Sequence, residues 1–293
     1  MTINRIGVDV GGTKIHLLEL DVSNHVVHDR RIDTPATYAE IVADVAALVA
    51  AAGAGSVGIG APGSSSPLTG LWRNSNIVAC NGRPFHADLQ SAIDRPIRTA
   101  NDANCFALSE ASHGAGRGHG TVAFFTIGTG LGGGLVIGGT LIRGAHDEAA
   151  EFGHTGLPWL EPEDLPPTPC FCGKSGCVEM YVSGTGLAKD YLKVTGIALS
   201  APQIVAAARA GARPATDALR RLQVRFARTC ANIVNVVDPD IFVMGGGMAV
   251  LPELVEELPP LIARYSFSGT AAPVVARAAF ADSGARGAAL LWD

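Results

Sequence analysis

Charge is scarce in this 293-residue chain: Lys, Arg, Asp and Glu together make 17%, and the net charge is -5. There is no basic excess, which argues against a nucleic-acid partner. The opening MTINRIGVDVGG has no basic stretch leading into a long apolar run, so no signal peptide is expected. Uncharged stretches do occur, but glycines and prolines interrupt them. The stretch from Val122 to Ile142 holds seven glycines between Gly128 and Gly139, which speaks for loop and strand rather than a membrane helix. A cytoplasmic protein with a packed core is expected. Cys-x-x-Cys is missing, although six cysteines are present and three of them, Cys170, Cys172 and Cys177, lie in CFCGKSGC. Three clustered thiols cannot all pair among themselves, and cytosolic clusters of this kind are more often metal-binding or redox-active. Cys80, Cys105 and Cys230 sit in apolar surroundings and read as buried thiols.

What is present has α/β order. RIGVDV reads as a strand, GGTK as a turn and IHLLELD as a second strand. YAEIVADVAALVAA places Ile41, Val45, Leu48 and Val49 at helical spacing. A helix is expected just after Asn101-Asp102, since both residues cap well. GAGRGHG, residues 114–120, is the internal boundary, after which TVAFFTIGTG repeats the strand-to-glycine pattern. Two related halves follow: a smaller domain over 1–118 plus 281–293, and a larger one over 119–280. The closing GARGAALL is expected to pack back on the first half.

Three strands run into glycines: DVGGTK, IGTGLGGG and MGGGM. Glycines there let backbone N–H groups approach phosphate oxygens. No Walker pattern occurs, and the Gly-x-Gly-x-x-Gly in the second loop lacks the following helix of a dinucleotide fold. Asp9 ends a strand, where a carboxylate can hold the water shell of Mg²⁺. Thr13 and Lys14 add a hydroxyl and a cation for phosphate. His154 and the three clustered cysteines have the composition of a closed tetrahedral zinc site, which leaves no open position for catalysis and excludes a zinc hydrolase. The loop between holds Pro158, Pro162, Pro166, Pro167 and Pro169, and the metal is expected to clamp it.

In order along the chain, DVGGTK, NDANC, IGTGLGGGLVIGG, EFGH and CFCGKSGCVE resemble the ROK family of sugar kinases and sugar-sensing regulators. The resemblance implies a two-domain actin-like ATPase fold, ribonuclease H-like, with nucleotide and sugar in the interdomain cleft. It implies ATP and Mg²⁺ on Asp9, Gly11, Gly12, Thr13, Lys14, Gly128, Thr129, Gly130 and Gly132, with Gly245 and Gly246 beside the adenosine. Asp102 becomes the general base, ionised near the helix end. Asn101, Glu151, His154 and Glu179 hold the sugar, with Gly63 and Ser64 on the opposite wall. His154, Cys170, Cys172 and Cys177 hold structural Zn²⁺. A homodimer is expected. Pro-Gly-Ser-x-Ser-Pro and Asn-Gly-x-Pro-Phe look most like bacterial ROK fructokinases, implying D-fructose to D-fructose 6-phosphate. NDANCFALSEA also resembles N-acetylglucosamine kinases, and glucokinase or mannokinase activity is the further alternative. A ROK regulator is the reading of a different class, disfavoured because the first phosphate motif begins at Asp9 and leaves no room for a DNA-reading element ahead of it.

Overall fold

The computed structural model describes residues 4–270 and 273–293. The elements run β1 (Asn4–Val10), β2 (Lys14–Leu20), β3 (Val26–Asp33), α1 (Tyr38–Ala52), β4 (Gly55–Ala61), β5 (Ser64–Ser65), β6 (Trp72–Arg73), α2 (Phe85–Ile93), β7 (Ile97–Asn101) and α3 (Asp102–His113). Then come β8 (Thr121–Ile127), β9 (Leu131–Ile137), β10 (Thr140–Leu141), α4 (Gly184–Thr195), α5 (Ala201–Arg209), α6 (Arg213–Val237), β11 (Ile241–Gly245), α7 (Pro259–Tyr265), β12 (Val274–Arg277) and α8 (Ser283–Ala289).

Two five-stranded sheets have orders β3-β2-β1-β4-β7 and β10-β9-β8-β11-β12. Each places its third, second, first, fourth and fifth strands side by side. In the first, β1 is antiparallel to β2 and parallel to β4. In the second, β11 is parallel to both β8 and β12. The repeated order is the structural form of the two sequence halves.

The chain divides into two compact units. Unit 1 is Met1–Gly118, Gly134–Ala150 and Ala279–Asp293, and unit 2 is His119–Gly133 and Glu151–Ala278. The sequence reading placed 134–150 in the second domain. Here β10 continues from β9, and Leu141 packs with Ala100, Cys105 and Leu108, so the stretch goes with unit 1.

In unit 1, alternate residues of β1 serve different neighbours. Ile6, Val8 and Val10 are fully buried with Ile41, Val45 and Val49 of α1. Burying such side chains contributes about 1.5–3 kcal/mol each. On the other face a Cβ at Gly7 would lie 1.8 Å from the Ala285 carbonyl of α8, so glycine here is a condition for seating the last helix. GARGAALL therefore packs where it was expected to. In unit 2, Phe125 of β8 meets Phe226 of α6 and Phe242 of β11 at ring separations of 5.0 and 5.9 Å. Cys80, Cys105 and Cys230 are buried and free.

Candidate functional site

In unit 1, β1 delivers Asp9 to a tight turn, in which the Gly11 N–H donates to the Lys14 carbonyl at 2.9 Å. Thr34 secures the turn from outside, its hydroxyl donating to the Gly11 carbonyl at 2.6 Å. At Gly12 a Cβ would meet nothing in the protein nearer than Asn76 at 3.9 Å. The folded chain does not demand glycine there, as expected where a ligand approaches the backbone. Thr13 and Lys14 are exposed, and Lys14 pairs with Asp33.

β7 runs directly into α3, and the junction positions the candidate base. Asn101, the N-cap, accepts the Ala103 N–H at 2.9 Å, and Asp102 accepts the same N–H at 2.8 Å. Asn101 also donates its Nδ2 to the Gly63 carbonyl at 3.3 Å. Gly63 sits at φ +89, where a Cβ would lie 2.3 Å from the Arg73 carbonyl. Ser64 beside it is buried. Asp102 does not keep an ordinary carboxyl at the helix end. Burial pushes its pKa above the usual range, against the lowering effect of the Ala103 N–H and its own. Asp9 rises to about 7, through burial and then the Asp102 charge.

A raised acid destabilises the fold as it ionises. Between the unfolded value of 3.8 and about 7, the folded protein binds more protons at Asp9 than the unfolded chain does, so stability falls as pH rises. In magnesium-free buffer, Asp9→Asn is expected to match the parent at pH 4 and to melt several degrees above it at pH 8. Parallel melting curves across that window would refute the shift.

In unit 2, β8 and β9 flank the Gly128–Gly130 turn, which is closed by the Gly128 N–H donating to the Gly130 carbonyl at 3.0 Å. The N-terminus of α4 adjoins it, with the Gly184 N–H donating to the Gly128 carbonyl at 2.8 Å and Ser183 capping the helix through the Gly186 N–H. Sequence reasoning did not place this helix start, although a Ser cap before glycines could have marked it. Gly245 and Gly246 have reasons inside the fold. A Cβ would strike Phe124 at 2.8 Å and the Ile127 carbonyl at 2.5 Å respectively.

Glu179 is placed against this loop. Its Oε2 accepts the Leu131 N–H at 3.0 Å, and a Cβ on Gly130 would lie 2.4 Å from that oxygen. Its backbone carbonyl accepts the Ser183 hydroxyl at 2.7 Å. Glu151 is exposed at the start of the short 3₁₀ turn Phe152–His154.

His154, Cys170, Cys172 and Cys177 come together, with their donor atoms all within 4.8 Å of one another. Cys170 Sγ is 3.7 Å from His154 Nδ1, and Cys172 Sγ is 3.5 Å from Cys177 Sγ. Zn–S bonds of about 2.3 Å imply tetrahedral S–S edges of about 3.8 Å. A disulfide would need about 2.05 Å. The donor set therefore fits a four-coordinate metal, with His154 Nδ1 beside Cys170.

The loop joining these four residues is also held by an ionic cluster. Asp164 is fully buried and pairs with Arg225 and Arg228 of α6, each at 2.7 Å, while accepting the Glu161 N–H at 2.9 Å. Asp190 of α4 joins through Arg225 and Arg221. Burial pushes the Asp164 carboxyl up, but the Glu161 N–H and the guanidiniums outweigh it and hold it below the usual range. Sequence reasoning missed this cluster.

Among the described residues no helix is long and apolar enough to cross a membrane. The ROK family model matches residues 5–293. An N-acetyl-D-glucosamine kinase of Salmonella heidelberg is 38% identical over 97% of this chain and 98% of its own. Among solved structures, a ROK hexokinase from Thermus thermophilus superposes with a TM-score of 0.87 at 29% identity, covering 98% of this chain and 97% of that one. A ROK family glucokinase from Streptomyces griseus, in complex with glucose and AMPPNP, gives 0.77 at 31% identity, with 98% of each chain covered.

Proposed function

Because the chain belongs to the ROK family and is an ATP-dependent sugar kinase, we propose that its sugar is D-fructose and its product D-fructose 6-phosphate. The observation that carries this choice is how the fold joins the two fructokinase-like stretches. Trp72 is buried, donates Nε1 to the Pro62 carbonyl at 2.8 Å, and meets Phe85 edge-on at 5.2 Å. Its backbone exchanges hydrogen bonds with Gly82 and Arg83, each at 2.8 Å. Pro-Gly-Ser-x-Ser-Pro and Asn-Gly-x-Pro-Phe thus form one wall around Trp72, with Asn101 tied to it through Gly63. A second reading, N-acetyl-D-glucosamine, is favoured by the 38% identity to kinases of that name. ADP release with ATP-Mg²⁺ against fructose, mannose, glucose and N-acetylglucosamine separates them. Fructose is expected to give the highest kcat/KM, and a higher value for the N-acetylated sugar would replace the first reading with the second.

In the mechanism we infer, Asp102 is the base, and the Gly11–Thr13 turn and the Gly128–Gly132 loop take the phosphates. Asn101, Glu151, His154 and Glu179 orient the sugar. Asp102 accepts the proton of the attacking hydroxyl as its oxygen bonds to the γ-phosphorus and the bond to ADP breaks. A raised pKa suits that role, because a more basic carboxylate takes the proton more readily. Backbone N–H groups of both glycine loops and Lys14 answer the phosphate charge. Asp9 would hold Mg²⁺ through water, and the metal would neutralise the charge developing on the phosphates.

His154, Cys170, Cys172 and Cys177 would hold Zn²⁺, which supplies local rigidity rather than reactivity. Cys177 precedes Glu179 by two residues, and Glu179 holds the Leu131 N–H and the Ser183 cap. The clip therefore steadies the phosphate loop as well as the sugar carboxylates. One zinc per chain is expected by elemental analysis. Cys177→Ser is expected to lose it, to melt lower and to lose roughly tenfold or more in kcat/KM. A metal-free wild type with unchanged melting temperature and kinetics would remove the clip from this account.

A further inference from the structure

An open pocket within unit 1, about 200 Å³ with its solvent-filled mouth included, is lined by Ser64, Thr99, Asn101, Asn104, Arg143 and Asp147 among others. Asn101 makes two bonds within the protein, its Oδ1 accepting the Ala103 N–H and its Nδ2 donating to the Gly63 carbonyl, and keeps a second N–H for a ligand. Asn104 follows on the first turn of α3. It is only 4% exposed, and its Oδ1 is withdrawn from water with no hydrogen-bond partner. An unpaired buried acceptor is costly to leave unmade, so a hydroxyl that reaches it gains more than it would at an exposed site.

The charge beside it is answered. Arg143 donates to both Asp147 oxygens, at 2.8 and 3.1 Å. The loop that carries them is anchored by Arg73, which donates to the His146 carbonyl at 2.8 Å and pairs with Glu148 at 3.0 Å. This corner of the pocket is thus neutral in sum, and Asn104, whose Oδ1 is unpaired, is among the residues that line it.

We propose that Asn104 accepts a hydroxyl of the sugar through Oδ1, and that with the Arg143–Asp147 pair it selects a neutral, hydroxylated sugar over its deoxy and anionic analogues. This rests on the sugar-kinase reading of the same site. No reacting atom is touched, so the residue sets specificity and leaves the chemistry to Asp102.

The test compares kcat/KM for the preferred sugar and its single-deoxy analogues in the wild type and in Asn104→Ala. In the wild type one deoxy position is expected to cost roughly 10- to 100-fold. In Asn104→Ala the parent sugar falls by a similar factor, the penalty at that position shrinks to about threefold or less, and the KM for ATP stays unchanged. A second variant does not touch α3. Asp147→Asn leaves Arg143 uncompensated, and gluconate is expected to inhibit it about tenfold more strongly than the wild type. Asn104→Ala that keeps every wild-type deoxy preference, or Asp147→Asn with unchanged gluconate inhibition, overturns the proposal while leaving the kinase intact. A wild type that phosphorylates no sugar overturns both readings together.

Discussion

Asp102→Asn is expected to lower kcat by about 10²- to 10⁴-fold, the range that a positioned general base contributes. The KM values for sugar and ATP should change little, because the substitution keeps the shape of the side chain. The start of α3 should also survive. The Ala103 N–H that Asp102 accepts is shared with Asn101, which remains as the cap. Melting temperature is expected to stay level or to rise above pH 7, since burial penalises the ionised Asp102 carboxyl and the neutral amide escapes that penalty. The pH profile gives an independent readout. Wild-type activity should climb on the acid side with a midpoint above the ordinary carboxylate range, because Asp102 and Asp9 are both raised by burial. A variant that keeps most of its turnover would take the base away from Asp102. Loss of turnover with a collapsed melting temperature would instead mean that the carboxylate holds the β7–α3 junction together.

The features legible in the sequence are those whose partners lie close along the chain. Strand, glycine turn and strand form one local unit, so both hairpin loops could be found. The start of α3 rests on Asn101 and on N–H groups within its own first turn. The metal cluster needs three cysteines within eight residues and one histidine nearby, and it was legible as a composition. The unit to which residues 134–150 belong was not. The division falls inside β9, between Gly133 and Gly134, where sequence reasoning read the glycines only as a phosphate loop. The bond from Glu179 to the Leu131 N–H was also hidden, because 48 residues separate an acid from a backbone group that has no sequence signature. Asn104 read simply as part of a motif. Its distinguishing property is an acceptor left unpaired by the fold around it, and that exists only in three dimensions.

The Asp164 cluster shows the same limit with larger energetic consequence. Arg221, Arg225 and Arg228 are four and three residues apart, which puts them on one stripe of α6, yet arginines in a polar-looking helix ordinarily read as a solvated face. Here Arg225 and Arg228 are each 2% exposed, and they meet an acid more than sixty positions earlier in the chain. Asp164→Ala is expected to cost about 3–5 kcal/mol, because it strands two buried guanidiniums rather than merely deleting a contact. For a chain of this size that is a fall in melting temperature on the order of 10 °C. Glu161→Ala is the control. Glu161 lies at the solvent edge of the cluster, 3.9 Å from Arg228 and 45% exposed, so its loss should cost no more than about 1 kcal/mol. The Asp164 carboxyl is held below its usual range, so its contribution is present at neutral pH and is lost as pH falls through the folded-state value. The difference between wild type and Asp164→Ala should therefore narrow in acid. Tyr181 ties the cluster to the metal loop, donating its hydroxyl to the Asp164 carbonyl at 3.2 Å while accepting the Thr168 N–H at 3.0 Å. The proline-rich loop thus has an ionic fastening at Asp164 and, at its ends, the four residues proposed to hold zinc. Stripping zinc should then loosen the ligand residues and Glu179 without releasing the loop from α6. Stripping zinc from Asp164→Ala should cost more than the sum of the two separate losses. Strict additivity in thermal melts would show that the two fastenings act on independent parts of unit 2.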